Sequence, residues 1–116
     1  MPLVLMNRKE DFVDDDLAKR LAEELTLIVS LALDVPEEED GRLVPGDIVV
    51  WVDSSSGLDV NVKPLEIIIW ASDFPARKAT LDSRRKEIIE AVKRLIPSTV
   101  TGFVQVFLQP ISFGEF

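Results

Sequence analysis

The chain contains no histidine and no cysteine. Those absences remove the two side chains most often used as bases and nucleophiles near neutral pH. They exclude a disulfide framework and leave a zinc site without its usual ligands. No apolar stretch approaches the ~20 residues that a membrane-spanning helix requires. No charged segment leads into an apolar one in the manner of a secretory signal. Glycine-rich phosphate loops, serine-based triads and metal-ligand spacings are absent too, so neither metal nor cofactor is expected. Basic residues are comparatively few, 13 against 21 acidic, for a net charge of −8. That balance argues against nucleic acid, which calls for clustered Lys and Arg on one face. It still leaves room for a local basic pocket that holds an anion. A cysteine-free chain without a membrane span fits the cytoplasm, the expected location.

What is present begins with Pro2. Pro2-Leu3-Val4-Leu5-Met6 reads as a short strand, and proline at a strand's first residue avoids wasting a backbone donor. A second reading is chemical. With Met1 removed, Pro2 carries a free secondary amine. An α-amino group titrates near pH ~8, and burial lowers an amine's pKa because desolvation disfavours the cation. Such an amine can serve as a general base in a chain that offers no imidazole or thiol. While Met1 is retained, the same nitrogen is an amide without a basic lone pair.

The 116 residues suit one domain, spanning 1–116. A chain of this size buries roughly 65% of its unfolded surface. Asp14, Asp15 and Asp16 place negative charge at the positive end of a helix. Leu17, Leu21, Leu25, Ile28 and Leu31 then recur with helical spacing until Pro36 ends the element. A second helix is expected from Thr80, as N-cap, through Ile88, Ala91, Val92 and Leu95 to Pro97. Ile48–Val52 and Ile67–Ala71 are unbroken apolar runs of the kind found in strands covered on both faces. Val104, Val106 and Leu108 alternate with Gln105, Phe107 and Gln109 as a further strand. Loops are expected over Glu37–Gly46 and Asp53–Pro64. The order is β-α-β, loop, β-α-β, in two halves of about 2–53 and 65–109. The expected fold is therefore α/β, a four-stranded mixed sheet with two helices on one face. Two helices on one side leave an apolar sheet face uncovered, which predicts oligomerisation.

Pro2 opening the first of two β-α-β units resembles the tautomerase superfamily, whose members include 4-oxalocrotonate tautomerase, 5-carboxymethyl-2-hydroxymuconate isomerase, malonate semialdehyde decarboxylase and macrophage migration inhibitory factor. Asp14-Asp15-Asp16-Leu17 opens a helix at about that family's distance from the proline. Leu33-Asp34-Val35-Pro36 is similar to its Gly-Val-Pro turn, and Leu81-Asp82-Ser83-Arg84-Arg85 to a helix start in the muconate isomerase branch. Ser112-Phe113-Gly114 resembles an aromatic-glycine tail in the decarboxylase branch. The resemblance implies a proline amine that moves protons on enols and keto acids, arginines that hold a substrate carboxylate, and a homotrimer. The chain departs from the pattern at Phe12 and Ile48, where relatives carry arginine. A ferredoxin-like sheet shares the element order and differs only in strand pairing.

The candidate site follows. Pro2 is the base and Arg77 its cationic partner, with Lys78, Arg42 and Phe113 binding a small carboxylate-bearing substrate. Each has a plainer alternative. Arg77 and Lys78 read equally as a solvated turn after the third strand. Arg42 reads as a surface partner of Glu37, Glu38, Glu39 or Asp40, a pairing worth little. Phe113 reads as part of a mobile tail. Arg84 and Arg85, against the dipole of the second helix, read as surface residues. Trp51 and Trp70 read as core or subunit-interface packing. The function expected is that of a tautomerase or isomerase. The alternative is a non-catalytic oligomeric scaffold or ligand-binding relative.

Overall fold

Alternation along the strands decides the layers. A computed structural model describes all residues from Met1 to Phe116. The elements are β1 (Leu3–Arg8), α1 (Asp15–Leu33), β2 (Val49–Ser54), β3 (Leu65–Ser72), α2 (Pro75–Ala79), α3 (Leu81–Lys93) and β4 (Gly102–Gln109). Single 3-10 turns at Glu39–Gly41 and Pro45–Asp47 break the loop before β2. The strands form one sheet in the order β2-β1-β3-β4. β1 pairs in parallel with β2, from Leu3 opposite Val49 to Arg8 opposite Ser54. β1 and β3 are antiparallel, and β3 and β4 are parallel. Direct parallel pairing within each half excludes the ferredoxin-like sheet, which inserts an antiparallel strand there.

Val4, Met6, Leu65, Ile67, Ile69 and Ala71 are buried and meet the helices, joined by half-buried Val104, Val106 and Leu108. By register, the opposite face carries Leu3, Leu5, Val49, Trp51, Ile68, Trp70, Phe103 and Phe107. No helix covers it. Trp70 stacks on Phe107 with ring centroids 6.1 Å apart, while Trp51 is 53% exposed. Both tryptophans therefore lie outside the core. β2, read as covered on both faces, is largely exposed from Trp51 onward. As an edge strand it has a neighbour on one side only, and nothing in one chain covers its open face.

In α1, Asp14 is the N-cap and its carboxylate accepts from the Leu17 N–H at 2.9 Å. The buried stripe runs through Ala18, Leu21, Leu25, Val29 and Ala32. Leu17 and Ile28 are only partly buried and Leu31 is 70% exposed. The expected stripe was displaced at both ends because leucine spacing masked the small inward residues Ala18 and Ala32. Thr80 is not a side-chain N-cap. It joins α2 to α3, donating to the Ala76 carbonyl and accepting from Arg84 Nε. Helix α3 ends at Lys93, short of Pro97.

Gly102 begins β4 where its partner Leu65 begins β3. A Cβ at position 102 would lie 1.7 Å from the Leu65 carbonyl oxygen. Gly102→Ala must push the two strand starts apart, a backbone shift costing about 2 kcal/mol. Urea denaturation should show the lower midpoint at unchanged slope. An unchanged midpoint would mean that the strands separate there without cost.

Candidate functional site

The parallel pairings place four chain crossings at one end of the sheet. β1 and β2 begin there, and β3 and β4 finish there, with Leu3 opposite both Val49 and Trp70. Pro2 precedes β1, Arg42 lies in the loop entering β2, Arg77 and Lys78 follow β3, and Phe113 follows β4. All five candidate residues thus belong to segments that meet the sheet at the same end.

Pro2 is buried at the head of β1, a central strand. Lacking an N–H, it contributes only its carbonyl, which accepts from the Val49 N–H at 3.2 Å and extends the ladder. Met1 is partly exposed and carries the free amino group. In this form the Pro2 nitrogen is an amide.

Arg77 is 1% exposed. Pro75 at the first helical position sets α2 after the extended Phe74, and this turn directs Arg77 inward. Its Nε and Nη2 both donate to the Leu33 carbonyl, at 3.0 and 2.8 Å, and its Nη1 donates to the Ser72 carbonyl at 2.8 Å. The guanidinium carbon lies 5.2 Å from the centre of the Phe74 ring. Arg84 completes the arrangement, with Nη1 donating to the carbonyls of Ala32 at 3.1 Å and Asp34 at 2.9 Å. α1 has no basic residue in its own last turn. Two arginines from the second half therefore satisfy its final carbonyls and meet its negative end.

Burial lowers the Arg77 pKa to about 10, with repulsion from Arg84 adding to the effect and Asp34 opposing it. The group remains cationic at neutral pH. Three of its five N–H donors are committed to backbone carbonyls. Any role toward a substrate falls to the remaining two. The expected solvated turn is not what forms at Arg77, although Lys78 beside it is exposed.

Arg42 is exposed, and its Nε donates to the Pro36 carbonyl at 2.9 Å. It forms no ion pair with Glu37, Glu38, Glu39 or Asp40. Phe113 is exposed in the segment after β4, which has no regular structure. Arg85 pairs with Asp82 at 3.1 Å, a surface contact as expected. Arg84 is a correction: it is partly buried because it reaches back across α1.

Sequence reasoning missed Arg8. It is buried at the far end of β1, where it donates to the Val13 carbonyl and to Asp15, each at 2.8 Å, and its Nε has no partner. The signal was available, because residues 4, 6 and 8 share the inward parity of a strand. No group of acidic side chains is arranged to hold a metal ion, and no helix is long and apolar enough to cross a membrane.

The chain matches no family model and no curated protein sequence. Its backbone is similar to that of a macrophage migration inhibitory factor-like protein from Entamoeba histolytica. The TM-score is 0.62 at 16% identity, over 96% of this chain and 89% of that one. It is also similar to the FG41 malonate semialdehyde decarboxylase inhibited by 3-bromopropiolate. There the TM-score is 0.58 at 15% identity, over 97% and 89% of the two chains. The shared feature is the fold.

Proposed function

We propose that this chain is a tautomerase-type isomerase whose Pro2 amine, freed by removal of Met1, moves a proton on a small enol or keto acid. The observation that carries the proposal is the burial of Pro2 at the head of a central strand. Segments bearing three cationic side chains meet the sheet at that same end. The neutral amine takes the proton of the enol hydroxyl and the resulting ammonium returns a proton to carbon. Negative charge on the substrate oxygen needs a nearby cation. Arg77 fills that role through its two uncommitted N–H donors, with Lys78 and Arg42 drawing in the carboxylate and Phe113 closing the apolar side. 2-Hydroxymuconate and the enol of phenylpyruvate, supplied to Met1-free protein, should ketonise faster than in buffer alone. Rates equal to buffer on both substrates would remove the enzyme reading.

The backbone commitments of Arg77 favour the second reading, a non-catalytic scaffold or ligand-binding module of the same fold. Both readings take the uncovered sheet face as a subunit interface in a homotrimer. That face is apolar around Leu3 and Leu5 and turns polar at Asn7, which donates to Glu66 at 3.2 Å and to Ser55 at 3.0 Å. Sedimentation equilibrium should give three chains per particle. Trp51→Glu, at a residue exposed in the single chain, should release monomers at a cost of about 2 kcal/mol or more per interface. A wild-type monomer at micromolar concentration would refute the assembly.

A further inference from the structure

A half-open cavity lies at the end of the sheet away from Pro2, where β3 and β4 begin. It offers about 450 Å³ between the second half of α3, the connection to β4 and the strand starts, a volume in the range of small-molecule sites. Its walls include Leu65, Ile67, Ile89, Val92, Ile96 and Val104. The polar side chains are few and lie on one short stretch of chain: the hydroxyls of Ser98 and Thr101, and Lys93. Lys93 is the single charged residue in the lining. Its only ion-pair partner is Glu90 at 3.9 Å, and both side chains are about two-thirds exposed. A pair so long and so wet is worth little, so an incoming anion can displace it.

We propose that this cavity binds an amphipathic monoanion, with its apolar tail against Ile67, Val92 and Val104 and its carboxylate at Lys93 and the two hydroxyls. One cation beside one carboxylate matches a singly charged head group better than a phosphate, whose second charge Glu90 would repel. The apolar walls exclude a purely polar ligand. Gly102 is among the lining residues. The site is separate from the Pro2 end and stands whether or not Pro2 is catalytic.

The test is titration of the full-length chain with decanoate, octanoate and decanol, followed by calorimetry and amide NMR. Decanoate should saturate at one per chain and shift the amides of α3 and residues 100–104, leaving the indoles of Trp51 and Trp70 unmoved. Each methylene removed should weaken binding about fourfold, so octanoate should bind roughly fifteenfold less tightly. Lys93→Glu, on an exposed side chain, should weaken decanoate about tenfold and leave decanol unchanged. Ile89→Trp should fill the cavity and abolish both. If that variant fails to fold, the Lys93→Glu comparison decides alone. Lack of saturation at millimolar decanoate would overturn the proposal. So would equal binding of decanoate and decanol, or a Lys93→Glu variant that binds decanoate as the wild type does.

Discussion

Arg77→Met should lower the melting temperature by on the order of 10 °C, the largest loss of stability expected from a single change at the candidate site. Two opposing effects set the size. Removing the cation relieves a desolvation penalty; the fall from the ordinary guanidinium value to about 10 corresponds to about 3 kcal/mol. Against this stand three hydrogen bonds from a charged donor to the carbonyls of Leu33 and Ser72. Such bonds contribute roughly 1.5–3 kcal/mol each, and their loss leaves buried carbonyls unpaired. The bonds win, by about 1.5–6 kcal/mol. Methionine keeps much of the volume, so a cavity adds little. Differential scanning calorimetry between about pH 6 and 9 should show a constant loss. Over that range Arg77 is protonated in both the folded and unfolded chain. Only above about pH 10, where the folded chain has lost the proton that the unfolded chain still holds, does wild-type stability gain with rising pH as the penalty is relieved. An unchanged melting temperature would mean that Arg77 is a surface anchor after all.

Those same hydrogen bonds mark where sequence reading ran out. The strands were legible from apolar runs, and the end of α1 from Pro36. The strand expected over Ile48–Val52 runs from Val49 to Ser54, paired directly with β1. What no local pattern contains is a partner far along the chain. Arg77 and Leu33 are 44 residues apart, and Arg84 and Ala32 are 52 apart. Arg84 near a helix start opposes that helix's dipole, which is why it read as a surface residue. Its reason for being there is the C-terminus of a different helix. β2 illustrates the opposite failure. Five consecutive apolar residues erase the alternation that would have shown Trp51 and Val49 facing away from the helices, so face assignment had to wait for the register. The candidate residues themselves gather at one end because parallel pairing fixes where strands start and stop, a consequence of topology rather than of any short motif.

Blocking the Pro2 nitrogen should reduce ketonisation by roughly 10²–10⁴-fold, the range that a positioned general base supplies. Two preparations of the same chain give the comparison, one with Met1 removed and one carrying a residue ahead of Pro2, each verified by intact mass. The blocked form should retain the fold, because Pro2 donates no hydrogen bond and its carbonyl still accepts from Val49. A difference in rate then reports on the amine and not on stability. Pro2→Ala in the processed chain is the informative intermediate. It keeps an amine, now primary, and should retain part of the activity. In each active form kcat/KM should rise with pH as the amine loses its proton. The midpoint should fall below the ordinary ~8 of an α-amino group if the site is desolvated. It should move when proline is exchanged for alanine. A blocked chain that ketonises as fast as the processed one would remove Pro2 from the chemistry. With no His or Cys in the sequence, only carboxylates and lysines would then remain as bases, and none of these is buried at the Pro2 end of the sheet.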